Sequence, residues 1–278
     1  MENKTHAYFP LSEKDTRKFR NIIIDNLMLS ASPNAENDVY DGIGRLAEKQ
    51  MHSALKSFIC SDKTKHEVKI ADSPCYMPKY AEDTKTRKYV ADILDGNTIY
   101  EIQTGGFSPL REKIKWILEN TTCRVVLIHP IAETKWISKI EKSGEISGRR
   151  KSPRHGKIQD IAGELYYVRD FLNSPRFSLM VLMTEAEQYV HANKKSGRRL
   201  KKYELIPMSL LGAYLFKNVD DYRLFLPEDL PSPFTVKDFS KHTDIYGPDA
   251  YSIVKVLCHI GLCEQGENIG RAHGYIKK

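Results

Sequence analysis

No stretch of the 278 residues approaches the roughly 20 consecutive apolar residues of a membrane span. The opening MENKTHAYFP lacks the apolar run of a secretory signal. The five cysteines (Cys60, Cys75, Cys123, Cys258 and Cys263) are odd in number and never fall as C-x2-C. That spacing points to neither a zinc site nor a disulfide framework, so free, mostly buried thiols are expected. These absences leave a cytoplasmic protein without a membrane segment.

What is present describes a folded chain: 41% hydrophobic and 28% charged residues. Its length suits one large or two ordinary domains. The net charge of +7 is unevenly spread. Residues 143–202 carry 13 basic and 6 acidic groups, whereas the flanking segments are close to neutral. A localised excess of this kind suits nucleic-acid phosphates. It falls in two clusters: Arg149, Arg150, Lys151, Arg154 and Lys157, then Lys194, Lys195, Arg198, Arg199, Lys201 and Lys202.

Ser12 is a candidate N-cap for a first helix that places Phe19, Ile22, Ile23 and Leu27 at helical spacing, and residues 1–42 read as a helical arm. A second helix is expected over 43–59, with Glu48 and His52 at the margin of its apolar stripe and in i, i+4 contact. His66–Ile70 reads as a strand, residues 87–104 as a hairpin, Ser108 to about Leu118 as a helix and Cys123–Ile131 as a buried strand. Beyond these come an exposed hairpin around 142–144, a helix over 158–172 and a strand from Phe177 that runs on towards Val190. The second basic cluster falls in a loop. Residues 43–204 thus predict an α/β domain with a mixed central sheet flanked by helices and basic insertions. Residues 205–233 read as a connector, with helices over 208–216 and 219–225 and a proline-rich end.

The stretch RKYVADILDGNTIYEIQT carries the chemistry. A loop of Asp95-Gly96 pairs position 92 with 99, and one of Gly96-Asn97 pairs 92 with 101. Either register puts Asp92, Glu101 and Gln103 on one face, whereas a three-residue loop separates them. Both faces of the hairpin are otherwise apolar, and no Lys or Arg shares that face between 89 and 104. Ionised carboxylates in an apolar layer need a basic partner, a shared proton or a metal ion. Asp and Glu oxygens at this separation suit a hard divalent cation.

Asp92, eight residues and then Glu101-Ile102-Gln103 at a hairpin resemble the active-site signature of the restriction-endonuclease-like superfamily, PD-(D/E)XK. The order helix, strand, hairpin, helix, strand over 43–131 resembles its core. Ala91 stands where the family often has Pro, and Gln103 where Lys is usual. The resemblance implies Mg²⁺, with Mn²⁺ as substitute, held by Asp92, Glu101, the Ile102 carbonyl and Glu48, with Gln103 orienting the nucleophile.

Residues 234–278 resemble a winged helix-turn-helix module: a capping box at Thr235 and Asp238, a second helix from Pro248 to Gly261, and a terminal hairpin. That resemblance implies DNA contacts through Tyr251, Ser252 and Lys255, with Arg271 in the wing. The whole reads as a metal-dependent endonuclease, a hydrolase of phosphodiester bonds in double-stranded DNA, site-specific in the restriction manner and homodimeric. The alternative is a catalytically inactive nuclease-fold DNA-binding regulator or assembly factor of a mobile element or defence system.

Overall fold

A computed structural model describes residues 7–30, 50–77, 89–141, 145–191 and 201–278. Helix α1 (Glu13–Ser30) starts where expected, with Asp15 N–H donating to Ser12 Oγ at 3.1 Å. Helix α2 is described over 50–59. Glu48, the 43–49 part of its predicted span and the loop basics Lys194, Lys195, Arg198 and Arg199 lie outside the described residues.

One sheet organises the chain. Its strands are β1 (Tyr8–Pro10), β2 (His66–Lys69), β3 (Val90–Asp95), β4 (Thr98–Ile102), β5 (Arg124–Ile140), β6 (Ile146–Lys151), β7 (Phe177–His191) and β8 (Lys201–Phe216). Their order is β1-β8-β7-β5-β4-β3-β2, with β6 paired to β5. Neighbours β2, β3 and β4 are antiparallel, β4, β5 and β7 are parallel, and β8 is antiparallel to both β7 and β1. This is the mixed α/β sheet expected. One apolar layer sits between the sheet and α1 with α2, through Phe19, Met51, Leu55, Ile93 and Ile102. The other lies beneath α3 (Arg111–Asn120) and the short α4 (Leu165–Val168).

Several expectations change. Residues 208–216, read as a helix, belong to β8, because pairing with β7 on one side and β1 on the other overrides the helix propensity of Met, Leu and Ala. Lys201 and Lys202, placed by sequence in a loop, begin that same strand. The helix over 158–172 is broken into a 3-10 turn (Ile158–Ile161), α4 and a second 3-10 turn (Arg169–Phe171). Gly163 lies at the break and lets Asp249 approach so closely that a Cβ there would collide with its Oδ1. Cys75 and Cys123 are not free thiols but form a disulfide, Cα atoms 6.1 Å apart. Their separation of 48 residues gives no local spacing signal.

Strands β5, β7 and β8, with 17, 15 and 16 residues, outrun their core partners and continue with β6 as a four-stranded extension. A polar network stiffens it. Trp136 Nε1 and Ser209 Oγ donate to Glu185, and Ser138 Oγ and Arg149 Nε donate to Glu187.

Residues 234–278 form α5 (Val236–Thr243), α6 (Gly247–His259) and an antiparallel pair β9 (Cys263–Gln265) and β10 (Tyr275–Lys277). Both halves of the Thr235–Asp238 capping box are made. Phe234, Phe239, Ile253 and Leu257 belong to the same apolar cluster as Ile114, Leu127 and Leu165, so this segment shares its core with the sheet domain. Among the described residues no helix is long and apolar enough to cross a membrane.

Candidate active site

The hairpin takes the second of its two favoured registers: Gly96-Asn97 forms the loop and Asp95 faces Thr98. Gly96 has φ +57°, the conformation that a type II′ turn demands at its first central position. Ile93 pairs with Tyr100, and one step further Asp92 falls opposite Glu101. There the Asp92 carboxylate accepts the Ile102 N–H at 2.8 Å. Alternation from the pair Leu94 and Ile99 puts Asp92 and Glu101 on one face, as the sequence implied.

Glu101 is 2% exposed at its side chain. Its partner is Lys113 of α3, whose Nζ donates to Oε2 at 2.5 Å. The basic group that is missing from the hairpin therefore arrives from the next helix. Glu101 Oε1 is buried and has no hydrogen-bond partner among the described residues. Burial pushes the Glu101 carboxyl up to about 7, against the pull of Lys113 and with the help of the Asp92 charge.

Asp92 behaves in the opposite way. Burial pushes it up, but hydrogen bonds from His52 and Ile102 and the charges of His52 and Lys113 outweigh that and hold it below the usual carboxylate range. His52 Nε2 lies 3.1 Å from Asp92 Oδ2. Sequence spacing assigned His52 to Glu48, which lies outside the described residues; the structure places it against Asp92. Two neighbouring carboxyls thus differ in charge state near neutrality, one anionic and one poised to exchange its proton.

Gln103 is bonded within its own turn, where its Nε2 donates to Gly106 C=O at 2.7 Å. Its backbone carbonyl meets His129 Nδ1 at 2.6 Å, and Phe107 N–H donates to Glu164 Oε2 at 2.6 Å. Burial holds the His129 imidazole below its usual value, opposed by the Gln103 bond and the Glu164 charge.

Lys113, His129 and Glu164 were missed by sequence reasoning. A signal for Lys113 existed: α3 is the crossover between parallel β4 and β5 and must fold back over β4. Ile114 and Ile117 are its buried residues, preceded by buried Phe107 and Leu110 in the turn before it, and Lys113 sits beside Ile114. His129 and Glu164 offered no comparable signal, since their contacts depend on turns far away in sequence.

The donor set suits a hard cation in part. Asp92 and Glu101 supply adjacent carboxylates, and Glu101 Oε1 is a buried oxygen with no hydrogen-bond partner among the described residues. No group of three or more His, Cys, Asp or Glu converges among the described residues, and Glu48 lies outside them.

The expected phosphate-binding residues separate into two kinds. Arg150, Lys151, Arg154 and Lys157 are exposed on β6 and after it. Lys157 Nζ lies 3.6 Å from Asp244. Arg149 is engaged differently: its guanidinium stacks on Trp136 at 4.0 Å and its Nε bonds Glu187 at 3.4 Å. In the last segment Tyr251, Lys255 and Arg271 are exposed and Ser252 is half-buried. On the same side of α6 as Ser252 and Lys255, His259 Nε2 lies 3.5 Å from Asp170 of the sheet domain, itself bonded by Arg111 at 2.9 Å.

The sequence pattern of a family described as a domain of unknown function, DUF8091, matches residues 49–214. That stretch contains His52, Asp92, Glu101, Gln103, Lys113, His129 and Glu164 and stops before α5. An uncharacterized protein of Treponema pallidum (strain Nichols) is 26% identical over 204 residues, covering 72% of this chain and 74% of its own. No solved structure matches.

Proposed function

We propose that this chain, which belongs to the DUF8091 family, is a metal-dependent endonuclease that hydrolyses phosphodiester bonds of double-stranded DNA. The observation that carries the reading is the buried pair Asp92 and Glu101 with one carboxylate oxygen unpartnered and a lysine on the other. The sheet supports it as well: antiparallel β2, β3 and β4 followed by a helical crossover to parallel β5 is the order implied by the restriction-endonuclease-like resemblance.

Asp92, Glu101 and the Ile102 carbonyl would hold Mg²⁺, or Mn²⁺ in its place. When bound, such an ion lowers the pKa of water and polarises the phosphate. The chain's own part is separate. His52 and the Ile102 N–H fix Asp92 as an anion. Lys113 places beside Glu101 the positive charge that Gln103 cannot supply. Its Nζ also gives Glu101 a route to ionise despite burial. Arg150, Lys151, Arg154 and Lys157 would hold the DNA backbone without reading sequence. The winged helix-turn-helix resemblance of 234–278 would place Tyr251, Ser252 and Lys255 against bases and Arg271 against phosphate. A homodimer would supply one such site to each strand.

Calorimetric titration of Mg²⁺ and Mn²⁺ into wild type and Asp92→Ala, paired with nicking of supercoiled plasmid, tests the reading. Saturable binding and nicking that both vanish in the variant are expected. Equal heats in the two proteins would remove the metal site.

The turning of the Gln103 amide onto Gly106 favours a second reading, a nuclease-like domain that binds DNA without cutting it. Tight duplex binding with no metal uptake would establish that reading instead.

A further inference from the structure

His129 is a buried titratable group that the proposed hydrolysis does not use, and its neighbours nevertheless belong to the site. Strands β4 and β5 are parallel, with Ile102 opposite Ile128, and Gln103 N–H donates to Ile128 C=O at 2.9 Å. The regular parallel ladder would next require the N–H of residue 130 to reach Gln103 C=O. Residue 130 is proline and has no N–H. An inner strand would then end on an unmet carbonyl, at a cost comparable to that of breaking a hydrogen bond.

The imidazole of His129 fills that place. Its Nδ1 lies 2.6 Å from Gln103 O. A carbonyl can only accept, so Nδ1 carries the proton. The ring then meets the edge of Phe107, with centroids 5.1 Å apart and planes at 86°. Phe107 in turn gives its N–H to Glu164. Gly106 has no side chain, and a Cβ there would press on the same Glu164 carboxylate at 3.2 Å. The turn 103–107 is therefore gripped from two distant parts of the chain, by His129 at its start and Glu164 at its end. This turn joins β4, which carries Glu101, to α3, which carries Lys113.

We propose that His129 is a positioning residue of the active site: its side chain replaces the hydrogen bond that Pro130 forfeits and, with Glu164, holds the 103–107 turn so that Lys113 meets Glu101. The consequence for cleavage rests on the nuclease reading; the clamp on the turn does not. Mispositioning of a charged group by about 1 Å is enough to cost on the order of a hundredfold in rate.

Three variants of the full chain test it. His129→Phe keeps the ring and its contact with Phe107 but has no donor. His129→Asn keeps a donor at the δ position. The double variant His129→Phe/Pro130→Ala returns a backbone N–H to the ladder. Amide hydrogen exchange over 103–107 and the kcat and KM of plasmid nicking with Mn²⁺ are the readouts. The single Phe variant is expected to keep its overall circular dichroism, to exchange these amides about tenfold faster and to fall about tenfold or more in kcat at unchanged KM. Both donor-bearing variants should recover most of each loss. Wild-type exchange and kcat in His129→Phe would overturn the proposal, as would losses that neither donor restores. A wild type that cuts no DNA would remove the nuclease reading alone, and the exchange pattern across the three variants would still decide the clamp.

Discussion

Lys113 Nζ sits 2.5 Å from Glu101 Oε2, joining residues 12 apart that lie on either side of the Gly105-Gly106 turn. If Lys113 supplies charge to the reaction, Lys113→Met should lower nicking by about a hundredfold or more. Calorimetry should find Mn²⁺ binding displaced to higher pH, because the substitution removes the charge and hydrogen bond that pull the Glu101 carboxyl down. Cleavage that survives the substitution would return Lys113 to a purely structural ion pair.

The raised Glu101 pKa has a defined consequence for stability. The unfolded carboxyl titrates near 4.5 and the folded one near 7. Between those values the folded state holds a proton that the unfolded state does not, so stability falls as pH rises through this window, by about 3 kcal/mol in total. Asp92, held low, acts in the opposite sense and only below its unfolded value. Glu101→Gln should therefore flatten the stability profile between pH 5 and 8. Chemical denaturation of both proteins at several pH values provides the check, and parallel profiles would refute the buried acid.

Neutralising Arg150, Lys151, Arg154 and Lys157 should weaken duplex binding for all sequences alike and flatten its salt dependence, by about one unit of slope for each phosphate left without its cation. Arg149→Ala should behave differently, since Arg149 is stacked on Trp136 and paired with Glu187. Its main effect is expected on stability, about 1–3 kcal/mol, from leaving Glu187 partly unpaired. Fluorescence anisotropy across a salt series separates the two classes.

The disulfide encloses β3, β4 and α3, and with them Asp92, Glu101, Gln103 and Lys113. Closing a loop of this length contributes about 2–4 kcal/mol. Reduction, or Cys75→Ser, should lower Tm by about 5–10 °C. Mass spectrometry after alkylation would show two fewer reactive thiols in the oxidised protein. A chain that keeps its Tm under reductant would place no weight on this link.

Local chemistry alone was enough to specify the 92–101 hairpin, the Ser12 and Thr235 caps and the α5–α6 segment. Turn residues, alternation and capping boxes act over fewer than about ten residues, and nothing distant contests them. The two candidate hairpin registers shared one consequence, a common face for Asp92 and Glu101, and so the choice between them was immaterial to the site. Residues 208–216 were not legible in this way. Their Met, Leu and Ala content suits a helix, and only partners on both sides, supplied by β7 and β1, make them a strand.

The site divides along the same line. Its two carboxylates could be read because they lie on one hairpin. Their electrostatic partners come from elsewhere, Lys113 through a crossover and His52 through the packing of α2 on the opposite layer, while His129 reaches the Gln103 carbonyl through a ladder position emptied by Pro130. Sequence determines which groups can ionise, donate or accept. Only the tertiary fold decides which of them meet in a place dry enough for the meeting to shift a pKa.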